Sequence, residues 1–426
     1  MSSDNNLVKN PTFQGDALQP LNWSYKCPRP ELAADGQAID SGDGRTLRIT
    51  GSGDALAFSW WQGACDLTPN KWYRCSVMCR IKNIENPELS LFAQVAGHYM
   101  TLTGRVGDEY ELGCEFKHHR PEDGSAIELF LRASANGTVE WFDPVVNEIP
   151  EPVHRMARVA TVRFGDPSHP LTLEEQRRRI ADMLDEVGAI KPDIVCLTEF
   201  CPISGVDSSE YETYLDVAEH VPDGPASRII SEKAAAYGMY VIAGLIERRD
   251  NHIFNTAALF GRDGSLVGKY EKTHVTFYEL KHGVSCGSDY PVFDLDFGKI
   301  AINICYDEWF PEVTRLYALK GAEIVFLPVM GGKPIMWRTR AMDDSIYYVA
   351  ASVTPQSMII DSSGVVLAQT HDSGFVYADL NLDVRKVNWY IDPTLTDGMP
   401  GIESRTRHVL DHQLLDELSK LIRNKE

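Results

Sequence analysis

Lys299-Ile-Ala-Ile-Asn-Ile-Cys305-Tyr-Asp-Glu-Trp-Phe-Pro-Glu312 carries the strongest structural signal in this chain, because it joins a predicted strand to a predicted helix through a cysteine. Isoleucine occupies every second position from 300 to 304, which is typical of a buried strand. Pro311 suits the first turn of a helix. Cys305 is therefore predicted at the elbow, where backbone N–H groups and the helix dipole would lower the pKa of its thiol.

A thiol in that position suits covalent catalysis, although a buried core cysteine is the commoner role of an unpaired cysteine. Two other segments favour catalysis. The strand predicted in Pro192-Asp-Ile-Val-Cys-Leu-Thr-Glu199 ends in a carboxylate, and Gly268-Lys-Tyr-Glu-Lys272 follows another strand and ends in a lysine. Residues at the carboxyl ends of strands converge in the ligand crevice of an α/β domain. The alternative is that Glu199 and Lys272 form a surface ion pair.

The order Glu199, Lys272, Cys305, with each residue at a strand end, resembles the nitrilase or carbon–nitrogen hydrolase superfamily. The resemblance covers about residues 155–385. The segment from Thr339 to Ser352 is similar to the family's Arg-Ala helix and following strand, with serine at 352 where asparagine is usual. The resemblance implies an α/β fold, a four-layer α-β-β-α sandwich with two sheets face to face.

The resemblance also implies the roles of the site residues. Cys305 would be the nucleophile, and Glu199 would transfer protons to and from it. The Lys272 ammonium and the backbone N–H of Tyr306 would stabilise the oxyanion. Glu279 lies in the region where the family carries a second glutamate, and it would orient the lysine. No metal ion and no cofactor are expected.

Four further side chains are candidates for lining a substrate pocket: Trp309, His274, Trp337 and Lys333. Each has a structural alternative. The two tryptophans could be core residues, His274 could pack beside the lysine loop, and Lys333 could lie in a solvated turn. Asp307 is expected to cap the elbow helix rather than to react.

The residues after the cysteine, Tyr306–Glu312, look more like the amidase and N-carbamoyl-amine branches than the true nitrilases. The expected reaction is therefore hydrolysis of a small linear, non-peptide amide, with release of ammonia or an amine. An N-carbamoyl-amine or N-carbamoyl-amino-acid hydrolase, which releases carbon dioxide and ammonia, is the alternative. A nitrilase, and a carbohydrate-binding protein with a vestigial hydrolase domain, are the remaining hypotheses.

The composition is that of an acidic protein. The 426 residues include 61 acidic and 41 basic side chains, for a formal net charge of −20, so nucleic acid and membrane are not expected as partners. The first residues lack the basic and apolar parts of a signal peptide. Nine cysteines without framework spacing fit a reducing compartment. We therefore expect a cytoplasmic protein, and a homodimer or higher homo-oligomer.

Before about residue 150, turn signals separate short segments with β-type alternation. Residues 1–147 are predicted to form an all-β jelly roll, which resembles galactose-binding-like or carbohydrate-binding modules at its two ends, Asn6–Phe13 and Gly137–Asp143. Residues 148–154 are predicted as a linker, residues 155–385 as the catalytic domain and residues 386–426 as an extension that ends in a helix.

A carbohydrate ligand is a possible partner of the β domain. Its candidate stacking platform consists of four aromatic side chains, for which core packing is the alternative: Trp60, Trp61, Trp72 and Tyr73. Within the catalytic domain, Thr172-Leu-Glu-Glu175 is predicted as a capping box that opens a helix. A hairpin of residues 254–260 and 266–270 is predicted to deliver Lys272.

Overall fold

The computed structural model describes residues 5–42, 44–85, 87–119, 125–164 and 169–383. The chain divides into two compact units between Val153 and His154. In the residues so described, no helix is both long enough and apolar enough to cross a membrane. The extension predicted for residues 386–426 lies outside the described residues.

The first unit consists of two antiparallel sheets. One sheet has the strand order β1-β4-β10-β6-β7 and the other the order β2-β3-β11-β5-β9-β8. The strands are β1 (Trp23–Lys26), β2 (Asp35–Ser41), β3 (Gly44–Thr50), β4 (Phe58–Ala64), β5 (Lys71–Lys82), β6 (Leu91–Val95), β7 (His98–Tyr99), β8 (Thr101–Val106), β9 (Glu109–His118), β10 (Ala126–Arg132) and β11 (Thr138–Ile149), with one helical turn α1 (Pro87–Ser90). Strand β11 includes the first two residues of the segment predicted as a linker.

Side chains from both sheets of the first unit form one hydrophobic core. Trp61 and Tyr73 are fully buried in it, so the predicted platform of four aromatic residues does not exist as an exposed surface. Trp60 is half-buried, and its ring stacks on Phe130 at 5.3 Å. Strands alternate inward and outward side chains, so neighbouring tryptophans necessarily lie on opposite faces of β4.

In its described residues, the second unit contains two mixed sheets and six α-helices. Its strands are β12 (Met156–Arg163), β13 (Ile194–Cys196), β14 (Tyr240–Arg249), β15 (His252–Phe260), β16 (Leu266–Glu271), β17 (Val284–Ser285), β18 (Val292–Asp294), β19 (Lys299–Ile302), β20 (Ile324–Gly331), β21 (Tyr347–Thr354), β22 (Met358–Ile360), β23 (Val366–Gln369) and β24 (Gly374–Asn381). Its helices are α2 (Leu173–Gly188), α3 (Tyr214–Val217), α4 (Pro225–Tyr237), α5 (Phe277–Lys281), α6 (Pro311–Leu319) and α7 (Pro334–Asp344).

Three hydrophobic cores arrange these elements in four layers. The first sheet has the order β16-β15-β14-β13-β12-β24, with β17 paired to β15, and the second has the order β18-β19-β20-β21-β22-β23. One core lies between the sheets, a second joins α2 and α4 to the first sheet, and a third joins α6 and α7 to the second sheet. The α/β class and the α-β-β-α layering agree with the expectation from sequence.

Local sequence signals account for the elements that present the site. Thr172 and Glu175 form the predicted capping box of α2. Strands β15 and β16 form the predicted hairpin, which ends at Glu271, directly before Lys272. Strands β12, β13 and β14 are parallel, as are β19, β20 and β21. Glu199 and Cys305 follow the carboxyl ends of β13 and β19, one strand in each sheet.

We predict that a chain starting at His154 folds cooperatively and keeps a reactive thiol at Cys305. The physical reason is that all three cores of the second unit are built from residues of that unit. Thermal unfolding and iodoacetamide labelling, with peptide mapping of Cys305, should be compared between the whole and the truncated protein. A folded truncated chain in which Cys305 is no longer labelled would show that the first unit helps to build the site.

Candidate active site

Glu199 lies in a buried segment that approaches strand β14 very closely. A Cβ atom on Gly244 of β14 would lie 2.6 Å from the Cα of Glu199 and 2.7 Å from the Thr198 carbonyl oxygen. Only glycine therefore permits this approach. Phe200, which follows, adopts the left-handed region with φ of 50°. The Glu199 side chain is 2% exposed, so its carboxylate needs partners inside the protein.

Lys272 provides one of these partners. Its ammonium is fully buried and donates to Glu199 Oε1 at 3.1 Å and to both carboxylate oxygens of Glu279, at 3.0 and 2.9 Å. Burial alone would lower the pKa of Lys272, but the charges of Glu199, Cys305 and Glu279 raise it above its usual value. Lys272 is therefore a permanent ammonium in this site.

Glu279 occupies its position because it caps helix α5. Its carboxylate accepts from the Thr276 backbone N–H at 2.7 Å, and the Thr276 hydroxyl accepts from the Glu279 N–H at 3.2 Å. This capping box turns the side chain back toward Lys272. Burial alone would raise the pKa of Glu279. Lys272, Asn255 and the Thr276 amide together lower it by more, so the pKa of Glu279 lies below its usual value. Glu279 is consequently ionised.

Cys305 is the fourth member of the cluster. Its φ of 45° lies in the left-handed region, a conformation that costs a non-glycine residue on the order of 1–3 kcal/mol. The half-buried thiol lies close enough to Glu199 and Lys272 for the charges of both residues to act on its pKa. Thiol, carboxylates and ammonium thus meet at one point between the two sheets.

The prediction that the elbow lowers the pKa of the Cys305 thiol is wrong. Burial raises this pKa well above its usual value, Glu199 raises it further, and Lys272 only partly opposes them. A 3-10 helix, Cys305–Trp309, separates the cysteine from α6, so the dipole of the longer helix begins at Pro311 rather than at the thiol. At rest Cys305 is therefore a thiol, and it could attack a substrate only with the help of a base.

Asn255 on β15 belongs to the cluster and was missed by the sequence reasoning. Its side-chain N–H₂ donates to Glu199 Oε1 and to Glu279 Oε1, both at 2.7 Å. It therefore holds together two carboxylates that would otherwise repel each other. The one available signal was a polar residue at the start of an apolar strand. The second oxygen of Glu199 accepts from the Met330 N–H at 2.9 Å, a backbone contact with no sequence signature.

Asp307 connects the elbow to the lysine loop. It accepts from the Ile304 N–H at 2.9 Å, as its predicted capping role requires, and also from the Tyr270 hydroxyl at 2.8 Å. On the other side it accepts from the His274 backbone N–H at 3.1 Å. The His274 ring lies 2.9 Å from the same carboxylate and stacks on Phe310 at 3.8 Å. His274 thus takes the packing alternative beside the lysine loop.

The other predicted pocket residues lie in different environments. Trp309 and Tyr306 are 50% and 39% exposed beside the elbow. Trp337 does not line a pocket, because its side chain is fully buried in the core under α7 and donates to the buried carboxylate of Glu308. Lys333 is exposed, and its backbone N–H donates to Glu308 Oε1 at 3.2 Å. In the part of the chain that the structure describes, no group of His, Cys, Asp and Glu has the arrangement of a metal site.

Comparison with known proteins identifies a family model and several relatives. The family model described as carbon-nitrogen hydrolase matches residues 158–387. A probable nitrilase of Schizosaccharomyces pombe is 31% identical over 224 aligned residues, and the match covers 46% of this chain and 81% of the relative. An omega-amidase of Bos taurus is 32% identical over 205 aligned residues, and the match covers 41% of this chain and 74% of the relative. A beta-ureidopropionase of Arabidopsis thaliana is 33% identical over 165 aligned residues, and the match covers 36% of this chain and 40% of the relative.

We predict that Asn255→Ala moves the acidic limb of the pH profile of kcat/KM to higher pH. Asn255 is one of the groups that lower the pKa of Glu279, so its loss raises that pKa and delays the ionisation of a carboxylate that holds Lys272. The control is Asn303→Ala, which removes an equally buried amide bonded to Thr314 and Tyr348 rather than to a carboxylate. It should lower thermal stability without moving the limb. The same acidic limb in both variants would contradict the role of Asn255.

Proposed function

The chain belongs to the carbon–nitrogen hydrolase family, and from this premise we propose that it hydrolyses a small linear amide through a thioester on Cys305. The observation that carries the proposal is the buried cluster of a thiol, a carboxylate base and an ammonium at the carboxyl ends of strands from two sheets. Glu199 would remove the thiol proton, and the thiolate would attack the amide carbon.

The ammonium of Lys272 is suited to stabilise the oxyanion that forms in this attack, together with the backbone N–H of Tyr306. Each such donor typically contributes about 3–4 kcal/mol to the transition state. The tetrahedral intermediate then collapses: the C–N bond breaks, and the protonated Glu199 gives its proton to the departing ammonia or amine. Glu199 next takes a proton from water, whose oxygen attacks the thioester and releases the acid and the free thiol.

The raised pKa of Cys305 supports a role for Glu199 as the base in both steps, the attack of the thiol on the amide and the hydrolysis of the thioester. The cluster carries two carboxylates and one ammonium, so a resting thiolate would add a second net negative charge to a buried site. The proton therefore stays on sulfur until substrate arrives. Glu199 is the carboxylate within reach of that sulfur, whereas Glu279 is engaged by Lys272, Asn255 and the cap of α5.

The same cluster could act on an N-carbamoyl amine, and the similarity to a beta-ureidopropionase supports this as the alternative. The acyl group on sulfur would then be a carbamoyl group, whose hydrolysis gives carbon dioxide and ammonia. A nitrilase reaction is a further alternative, supported by the similarity to a probable nitrilase. For the first unit we propose an accessory role. A carbohydrate ligand there would use the half-buried Trp60 and the rings stacked with it.

We predict that the purified protein releases ammonia from linear amides and that Cys305→Ala releases none, because the variant lacks the sulfur that would carry the acyl group. Ammonia and carbon dioxide should be measured together over a panel of linear amides, N-carbamoyl amines and nitriles. Carbon dioxide with ammonia would select the carbamoyl alternative. Cys286→Ala, which removes an exposed free cysteine, is the control and should keep full activity. Turnover by Cys305→Ala would contradict the thiol mechanism.

We further predict that Glu199→Gln lowers kcat by about two to four orders of magnitude, the usual contribution of a general acid–base. Glutamine keeps the size and accepts hydrogen bonds but cannot take a proton. With a substrate that has a good leaving group, an acyl-enzyme should accumulate and be seen by intact-protein mass spectrometry.

Glu247→Gln is the control, since Glu247 is also a buried glutamate paired with a lysine, Lys269. This variant should turn over without an adduct. Peptide mapping that places the adduct of Glu199→Gln on a residue other than Cys305 would overturn the assignment.

A further inference from the structure

The segment between Glu199 and helix α4 starts at the cluster of Glu199, Lys272, Glu279 and Cys305 and contains short helical turns. It contains a 3-10 turn, Ser208–Glu210, and helix α3. Asp207 accepts from the Ser209 N–H at 2.8 Å, and Asp216 accepts from the Thr213 N–H at 2.8 Å. The two caps give this segment a defined conformation, which presents two tyrosines, Tyr211 and Tyr214.

Tyr214 lies between the two elements that carry the catalytic carboxylates. Its ring is 5.3 Å from that of Phe200, the residue after Glu199, and 5.7 Å from that of His282, just beyond α5. The His282 ring is in turn 4.2 Å from that of Tyr278, the residue before Glu279. A row of four aromatic rings therefore runs from one carboxylate-bearing segment to the other.

The hydroxyl groups at this row are available to a ligand. Within the described part of the chain, no residue forms a hydrogen bond with the hydroxyl of Tyr211, Tyr214 or Tyr278. Tyr214 is half-buried, whereas Tyr278 is exposed. Polar groups without a protein partner are the usual means by which a binding site orients a ligand.

The buried cluster at the two ends of this row has a net charge of −1, because the carboxylates of Glu199 and Glu279 share the single ammonium of Lys272. Burial raises the pKa of Tyr214, and the neighbouring Tyr278, Glu279 and Glu199 act in the same direction. A net negative charge beside the row disfavours a substrate carboxylate there and favours a cation. The nearest segment does contain a lysine, Lys281, but its ammonium lies over the ring of Phe277, 4.7 Å from the centroid.

We propose that Tyr214, with Tyr211 and Tyr278, forms the specificity subsite and that this subsite binds an ammonium group on the substrate. The proposal rests on the proposed amide hydrolysis and names the substrate class, an amide whose far end carries an amine. Aromatic faces attract cations, and phenol oxygens accept hydrogen bonds from an ammonium. Tyr214 is thereby a specificity-determining residue that contacts substrate away from the scissile bond.

The test compares three substrates of one length that differ in terminal charge: δ-aminovaleramide, its methyl isostere hexanamide, and adipamic acid. We expect kcat/KM for the ammonium substrate to exceed that for hexanamide by about two- to thirty-fold, the range of one cation–π contact, and adipamic acid to be the poorest. Equal rates, or a preference for the carboxylate, would overturn the subsite while leaving amide hydrolysis standing. No turnover and no acyl adduct on Cys305 with any of the three would overturn both.

Variants of Tyr214 test whether this residue causes the preference for the ammonium substrate. Tyr214→Leu keeps apolar volume but removes the ring, so the ratio of ammonium to methyl substrate should fall toward one through a rise in KM. Tyr214→Phe should keep most of the ratio.

Tyr377→Leu, a half-exposed tyrosine on β24, is the control and should change nothing. Tyr278→Leu at an exposed position provides a second variant if Tyr214→Leu does not fold. A ratio unchanged in a folded Tyr214→Leu protein would overturn the assignment.

Discussion

The buried ammonium of Lys272 is the constraint on which the rest of the second unit depends. An isolated charge in a protein interior costs several kcal/mol, and removing one partner of a buried pair typically costs about 3–5 kcal/mol. Lys272 therefore needs Glu199 and Glu279 as partners, and the three side chains together carry a net charge of −1. Hydrogen bonds from three donors stabilise this excess negative charge: Asn255 on β15, the Met330 N–H on β20 and the Thr276 N–H at the cap of α5. The cluster forms only where both sheets and the helix meet correctly.

This charge balance also determines the chemistry at Cys305. In a site that is already negative, the thiol keeps its proton, so the proposed nucleophile and its proposed base would act together rather than as a preformed ion pair. Cys305 itself adopts a strained backbone conformation, with φ of 45°. Asp307 maintains the distance between the elbow and the lysine loop, because one carboxylate accepts from Ile304 and from His274. Stability and reactivity therefore depend on the same contacts.

Much of this arrangement follows from local patterns in the sequence. Alternating apolar residues predicted the strands that end before Glu199, Lys272 and Cys305, and capping signals predicted α2. Asn255 could not be predicted in this way, since its two partners are 56 and 24 residues away in the chain. The pKa direction of Cys305 depends on the net charge of residues from three segments, whereas the sequence shows only the neighbouring helix. Trp337 is a buried core residue and Trp309 is exposed, and this difference in burial is visible only in the folded structure.

The groups proposed to perform the reaction differ from the groups proposed to select the substrate. Within the cluster, nearly every donor and acceptor is engaged by another member, so these groups have little capacity to distinguish one amide from another. Selectivity would therefore come from groups around the cluster that have no protein partner among the residues described by the structure. Those groups lie on the elements that follow the strands: the segment with α3, helix α5 and the exposed residues of the elbow, Tyr306 and Trp309. Such surface segments can change in sequence without disturbing the buried charges, which is why membership of a family of hydrolases specifies the reaction more closely than the substrate.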